Sequence, residues 1–296
     1  MIIPISVKSV LNKHKKRDAW FLDEYSINPY RGCSINCLYC YIRGSKYGEN
    51  MEEKLAYKDN LLSLLERALQ LASSKRKFGF VALGTATDAY MPVEEELCLT
   101  EQCLKLLLKY RFPVFISTKS ILIKRDFDLL KEIDKQAILP PDLQDRLNHG
   151  LILSVSLSTL DKHLTQMLEP AAPDPIERLE LLSEFKKHGF LSGVNAIPLL
   201  PFISDTVDEL EKLVSMSVKH GADYLLAGSL CLFGHGKADS KTLYYKFLEK
   251  MHSELIPRYN QLYGNGQFPP KSYQQALSDR AATLCERYGI RNQILV

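Results

Sequence analysis

Short apolar runs alternate with longer stretches in which apolar and charged positions recur at helical spacing. From about residue 25 this alternation predicts six strands. The first is EYSINPYRG. It is followed by FGFVALG (78–84), FPVFIST (112–118), GLILSVSLST (150–159), LSGVNAIPLLP (191–201) and ADYLLAGSL (222–230). Between them lie amphipathic stretches that predict helices: KDNLLSLLERALQLASSK, EEELCLTEQCLKLLLKY (94–110), RDFDLLKEIDK, DPIERLELLSEFKKHG and DTVDELEKLVSMSVKHG (205–221). Acidic residues open the 94–110 stretch, as the positive end of a helix dipole favours. Pro175 falls in a first turn, and Gly189 follows a last turn. Strands alternating with helices imply βαβ units and a parallel sheet with right-handed crossovers. An open doubly wound sheet and a curved, incomplete barrel both satisfy this pattern, and periodicity does not separate them.

After residue 230 the pattern is mostly helical. NQLYGNGQFPPKS (260–272) reads as a loop, and a last helix is expected over about 272–288. No low-complexity linker forces a split. The expected organisation is an N-terminal extension (1–24), an α/β body (25–235) and a C-terminal helical extension (236–296) packed on it.

Composition changes this picture little. The chain has 296 residues, 46% hydrophobic and 25% charged, which suits a globular protein with a sizeable core. The formal net charge is +3. Basic clusters at KHKKR (13–17), KRK (75–77) and Lys124–Arg125 read as solvated surface and leave nucleic acid open as a partner. The N-terminal apolar run is too short for a secretory signal, and no stretch approaches the about 18 apolar residues of a membrane span. A cytoplasmic location, with reduced thiols and no membrane partner, is therefore expected. Clustered cysteines in that setting point to metal before disulfide.

Three of the seven cysteines lie in GCSINCLYCY (32–41): Cys33, Cys37 and Cys40, spaced C-x3-C-x2-C. The loop follows the first predicted strand, and parallel α/β folds bind ligands at the carboxyl ends of their strands. Structural zinc takes four protein ligands, yet no fourth cysteine or histidine lies nearby. On a [4Fe–4S] cluster, three thiolates leave one iron open. A zinc half-site completed by a distant ligand is an alternative. So is a non-catalytic iron–sulfur or zinc protein, and so are two structural cysteines beside a bystander.

With an aromatic residue, Tyr39, before its last cysteine, this spacing resembles the radical S-adenosylmethionine (SAM) superfamily. NPYRGCSINCLYCY, GTATDAYMPVEEE, STKSILIKRDFDLL, SVSLSTLDKHLTQMLEPAAPDPIERL and AIPLLPFISD occur in that order. Together they resemble the spore photoproduct lyase-like (DNA repair photolyase-like) group, from about residue 25 to 235. The resemblance implies an incomplete (β/α)6 TIM-like barrel with parallel strands. It implies that Cys33, Cys37 and Cys40 hold a [4Fe–4S] cluster whose open iron binds SAM. One-electron reduction, from an external donor such as flavodoxin or ferredoxin, then cleaves SAM to methionine and a 5′-deoxyadenosyl radical that abstracts hydrogen from a substrate. A nucleic acid lesion is one substrate class it implies. A protein, peptide or small metabolite is the other. Nothing in the sequence specifies an oligomer.

The resemblance also assigns residues. Tyr39 and Tyr41 flank the last ligand and are expected to border SAM. Thr87 and Asp88, in GTATD, are expected to accept hydrogen bonds from the SAM ammonium; a turn or helix cap is the structural alternative. Spore photoproduct lyases carry a hydrogen-donating cysteine in this segment, and GTATD has none, which argues against authentic spore-photoproduct repair. Lys119 ends the third strand, within reach of the SAM carboxylate or ribose, and Ser156 matches a SAM-contacting serine. Arg178 either clamps a carboxylate or pairs with Glu169. Ile197 and Pro198 fall on the adenine-facing fifth strand or in plain core. Cys98 and Cys103, on one predicted helix, and Cys285 read as core thiols. Cys231, after the sixth strand, is a candidate hydrogen-atom donor. No Walker A, G-x-G-x-x-G or H-E-x-x-H pattern occurs.

Overall fold

The computed structural model describes residues 2–45 and 55–295. Six parallel strands form its centre: β3 (Asp23–Ile27), β6 (Phe80–Leu83), β7 (Val114–Thr118), β8 (Leu151–Ser156), β9 (Leu191–Leu199) and β10 (Tyr224–Ser229). Five further elements precede or join them: β1 (Ile3–Ile5), β2 (Asn12–Lys13), β4 (Tyr30–Arg31), β5 (Ala56–Lys58) and α1 (Leu61–Ser74). The crossover helices are α1, α3 (Leu99–Lys109), α4 (Phe127–Gln136), α6 (Pro175–Lys187) and α7 (Val207–Lys219), with shorter α2 (Glu94–Leu97) and α5 (Lys162–Leu168) beside them.

Strand order in the main sheet is β10-β9-β8-β7-β6-β3-β2. The six parallel strands thus lie side by side in chain order. A doubly wound sheet reverses direction at a switch point; this sheet does not. Sequential order puts every crossover helix on one face and leaves the other to curl around a lumen. Side chains alternate accordingly. Val81, Leu83, Val114, Ile116, Leu153 and Val155 pack under the helices. Phe80, Ala82, Phe115, Ile152, Tyr224 and Leu226 form a separate inner cluster.

The barrel is incomplete, since β3 and β10 do not pair. β2 adds antiparallel to the outer edge of β3. The segment between them then spans the gap: Leu22 joins the inner cluster with Tyr224 and Leu226, and Phe21 stacks on Phe115 at 5.0 Å between ring centres. Residues in the expected N-terminal extension therefore help build the wall. A two-residue strand is too short to carry a period that a sequence reading can detect.

Two other expectations are corrected. EYSINPYRG is not one strand. It breaks at Asn28–Pro29, and β4 pairs with β5 in a small sheet ordered β1-β5-β4; Pro29 has no N–H for a ladder. The 94–110 helix is also two, broken at Cys98, which takes left-handed φ of 50°. The cause is Glu94. Its buried carboxylate accepts from the Thr100 amide (3.0 Å) and the Glu101 amide (3.3 Å) at the start of α3. It also pairs with Arg125 at 3.0 Å and accepts from the Tyr30 hydroxyl. Cys98 is consequently half-buried at a joint, while Cys103 and Cys285 are core thiols.

Helices α8 (Ser240–Met251), α9 (Ile256–Tyr263) and α10 (Lys271–Tyr288) complete the described chain, and α10 packs on β10 and α7. Among the described residues no helix is long and apolar enough to cross a membrane.

Candidate active site

The lumen opens at the carboxyl ends of the strands into a cavity of about 470 Å³. Cys33, Cys37 and Cys40 line its wall, from a loop that follows β4. Local turns shape that loop: the Asn36 amide donates to the Cys33 carbonyl and the Cys40 amide to the Cys37 carbonyl, both at 3.3 Å. Arg43, fully buried, staples it by donating to the Cys37 carbonyl at 3.0 Å and to the Asn36 side chain. Leu38 is tied to the end of α5 by its amide, 2.8 Å from the Leu168 carbonyl. Sequence reasoning missed Arg43, since one arginine after a cysteine loop reads as surface.

Burial raises all three thiols. Cys33 is pushed up to about 11, with the nearby Asp88 carboxylate adding to the effect. Cys37 and Cys40 are also raised by burial, and the Lys119 ammonium counters this at both. Each thiol must lose its proton to ligate iron, so loading the site releases protons. Among the described residues no three cysteine, histidine or carboxylate side chains converge on one point, as a single metal ion requires. A cubic cluster asks something different: each thiolate takes its own iron, and the three need only face one space. Three thiols on one cavity wall meet that condition.

The remaining expected residues divide into two sets. Tyr39, Tyr41, Thr87, Asp88, Lys119, Ser156 and Ile197 all line the cavity. Lys119 donates to Ser156 Oγ at 2.9 Å. Burial acts to lower the Lys119 pKa, yet the acidic groups around it, Cys37, Glu169 and Asp88, outweigh it and hold the pKa raised. Thr87 is buried with its hydroxyl unpartnered. Tyr41 is exposed at the mouth and donates to the Thr85 carbonyl at 2.7 Å. Asp88 is occupied structurally. Its carboxylate accepts from Thr118 Oγ1 (2.7 Å), the Tyr90 amide (2.9 Å) and the Lys119 amide (2.8 Å), and its own amide faces Cys33 Sγ at 3.4 Å. Asp88 thereby fixes the end of β7 against the cysteine loop.

Arg178 is the member that stands apart. It is 1% exposed and lies behind the cavity wall. Its guanidinium meets Glu169 at 2.5 Å as a close charge contact without hydrogen-bond alignment. It also donates to the Ser156 and Pro173 carbonyls, both at 2.9 Å. Glu169 in turn accepts from the Tyr39 hydroxyl, which lies 2.8 Å from Ser158 Oγ. Of the two roles open to Arg178, the structure shows the ion pair, one step behind the cavity. Cys231 lines the cavity opposite, and its thiol is raised to about 11 by burial. Asn195, on β9, was also missed. Its amide lines the cavity and its Oδ1 has no partner. The signal was available: one amide in the apolar run LSGVNAIPLLP.

A partial parallel barrel with three clustered cysteines at its carboxyl mouth is the architecture of a cofactor-dependent enzyme that shields its chemistry inside the lumen. Residues 27–216 match the Radical SAM superfamily, and the chain belongs to it. It is an enzyme of that superfamily, whose cofactors are a [4Fe–4S] cluster and SAM. An uncharacterised protein of Mycobacterium tuberculosis is 30% identical over 290 residues, covering 96% of this chain and 79% of the relative. An uncharacterised protein of Methanocaldococcus jannaschii is 27% identical over 208 residues, covering 69% and 70%. A spore photoproduct lyase mutant with bound AdoMet and dinucleoside spore photoproduct shares the fold. Its TM-score is 0.67 at 14% identity, with 98% of this chain and 80% of that one covered.

Proposed function

We propose that Cys33, Cys37 and Cys40 hold the cluster and leave its fourth iron to SAM. The observation that carries this is three thiols of one loop on a single cavity wall. Once bound and reduced, the cofactor pair supplies a 5′-deoxyadenosyl radical that takes a hydrogen atom from the substrate.

The chain's own residues hold and orient. Lys119 neutralises the SAM carboxylate, and Ser156 keeps its ammonium in place through the 2.9 Å contact. The unpartnered Thr87 hydroxyl accepts from the SAM ammonium. Asp88 sets the position of Thr87 and Cys33. Arg178 acts through Glu169 on Tyr39 and through the Ser156 carbonyl. Tyr39 and Tyr41 close the cluster side against water, and Ile197 forms an apolar wall for adenine. An external one-electron donor, of flavodoxin or ferredoxin type, reaches the cluster from the cysteine-loop face.

The substrate group enters the lumen. GTATD has no cysteine, which speaks against spore-photoproduct repair itself. A nucleic-acid substrate predicts affinity that falls steeply with salt; a peptide or metabolite does not.

Anaerobic reconstitution with iron and sulfide, then SAM and dithionite, tests the core of this reading, with 5′-deoxyadenosine followed by chromatography. SAM left intact by a fully reduced four-iron protein, with no change in its EPR spectrum on SAM addition, overturns it. Lys119→Met is expected to keep its iron and lose SAM affinity by about 2 kcal/mol, roughly thirtyfold, the scale of a hydrogen bond to a charged group. Equilibrium dialysis with labelled SAM measures this, and wild-type affinity would remove Lys119 from the site.

A further inference from the structure

The lumen has a second polar end, which the cofactor site does not use. It is built by an irregularity in β3. Asp23 pairs with Phe80 and Tyr25 with Val81, so two steps on β3 match one on β6, a bulge at Glu24. Tyr25 and Ile27 pack outward under the helices. Strict alternation would send Asp23 outward with them. The extra residue turns it into the lumen instead, where it is 3% exposed. His14 Nδ1 lies 3.1 Å from the Asp23 carboxylate, and its Nε2 lies 3.3 Å from Ser26 Oγ. Asp18 adds a second carboxylate to this wall. One Asp18 oxygen accepts from the Trp20 and Phe21 amides, at 2.8 and 2.9 Å.

An aromatic surface completes the end. Phe21 and Phe115, stacked at 5.0 Å, line the cavity beside the carboxylates. Among the described residues, the one lysine or arginine on the cavity wall is Lys119, at the opposite end. Two carboxylates set against the one imidazole of His14, together with the aromatic faces, favour a hydrogen-bond donor that carries positive charge.

We infer that this end of the lumen is a subsite for a cationic substrate group, an alkylammonium carried by a free amine or a lysine side chain. The inference rests on the upper lumen being the SAM site, because SAM there leaves the lower end for substrate. Burial raises the Asp23 carboxyl, and Asp18 adds to the rise after His14 opposes it; a bound cation relieves that cost.

The test uses reconstituted, SAM-loaded protein and calorimetric titration with n-butylammonium, Nα-acetyl-lysine amide, n-butanol and butyrate. Ammonium probes are expected to bind at least about tenfold tighter than butanol, with butyrate excluded. Preference between the two ammonium probes tells a free amine from a peptide side chain. Asp23→Asn is expected to weaken ammonium binding about tenfold while iron content and SAM affinity stay at wild-type values. Phe21→Leu provides the second variant should Asp23→Asn not fold, with a smaller weakening expected. Equal binding of butanol and butylammonium, no binding of any probe, or unchanged affinity in both variants overturns the inference. Repeating the titration without SAM separates the two readings, since a failed SAM site does not prevent ammonium binding at Asp23.

Discussion

Cys37→Ser abolishes iron–sulfur loading and, with it, all 5′-deoxyadenosine formation. The expectation follows from the donor count. Three thiols of one loop face the cavity, each proposed to hold its own iron. Serine keeps the size and loses the soft, acidic donor that iron–sulfur ligation needs. The Cys37 carbonyl is held by Arg43, so the loop retains its shape in the variant and the loss is one of ligation rather than folding. Iron and sulfide analysis with circular dichroism measures both halves of that statement. Cys231→Ser, on the same cavity, is expected to keep its full iron content. A protein with serine at all three loop positions that still holds a complete cluster would sink the assignment.

Glu169→Ala is the second large effect, expected to destabilise the protein by about 3–5 kcal/mol. It leaves Arg178, 1% exposed, with a buried charge and no carboxylate. Burial tends to raise the Glu169 pKa, but Lys119 and Arg178 outweigh it and hold the carboxyl below the ordinary glutamate range. The folded value is thus the lower one. This contribution is fully present above the unfolded glutamate pKa and is lost as pH falls through the depressed folded value. Urea titration across mildly acidic pH measures both magnitude and trend; a cost below about 1 kcal/mol contradicts the buried-charge account. Glu169→Leu combined with Arg178→Met removes both charges and is expected to regain much of the stability. SAM affinity is expected to be lowered in both the single and the double variant, because Tyr39 then keeps only its Ser158 contact.

The legible part of this molecule is the part written in local periods and spacings. Each strand of the barrel is a short buried run, and each crossover helix an amphipathic one. The cysteine spacing needs no tertiary knowledge. What escaped the sequence depends on pairing between distant residues. Barrel and doubly wound sheet share one local pattern and differ only in which strands are neighbours, so periodicity leaves them open and the family resemblance supplies the incomplete barrel that the strand order bears out. Glu94 looks like a dipole-friendly helix start until Thr100 and Arg125 draw its carboxylate inward. Arg178 has the right residue type for a clamp, and only its burial shows that Glu169 holds it. His14 sits inside KHKKR, where a run of charge reads as solvated surface. The bulge that turns Asp23 inward is a register shift with no signature of its own.

The gap between β3 and β10 is crossed by a loop rather than a strand, and the chain's single tryptophan lies on that crossing. The Trp20 ring packs against Gly228 of β10 and is 37% exposed. Movement that parts the seam is expected to change the polarity around that indole. The molecule therefore carries one native fluorophore at the open seam of its barrel. Its emission maximum offers a label-free optical record of the seam, with no other indole to obscure the signal.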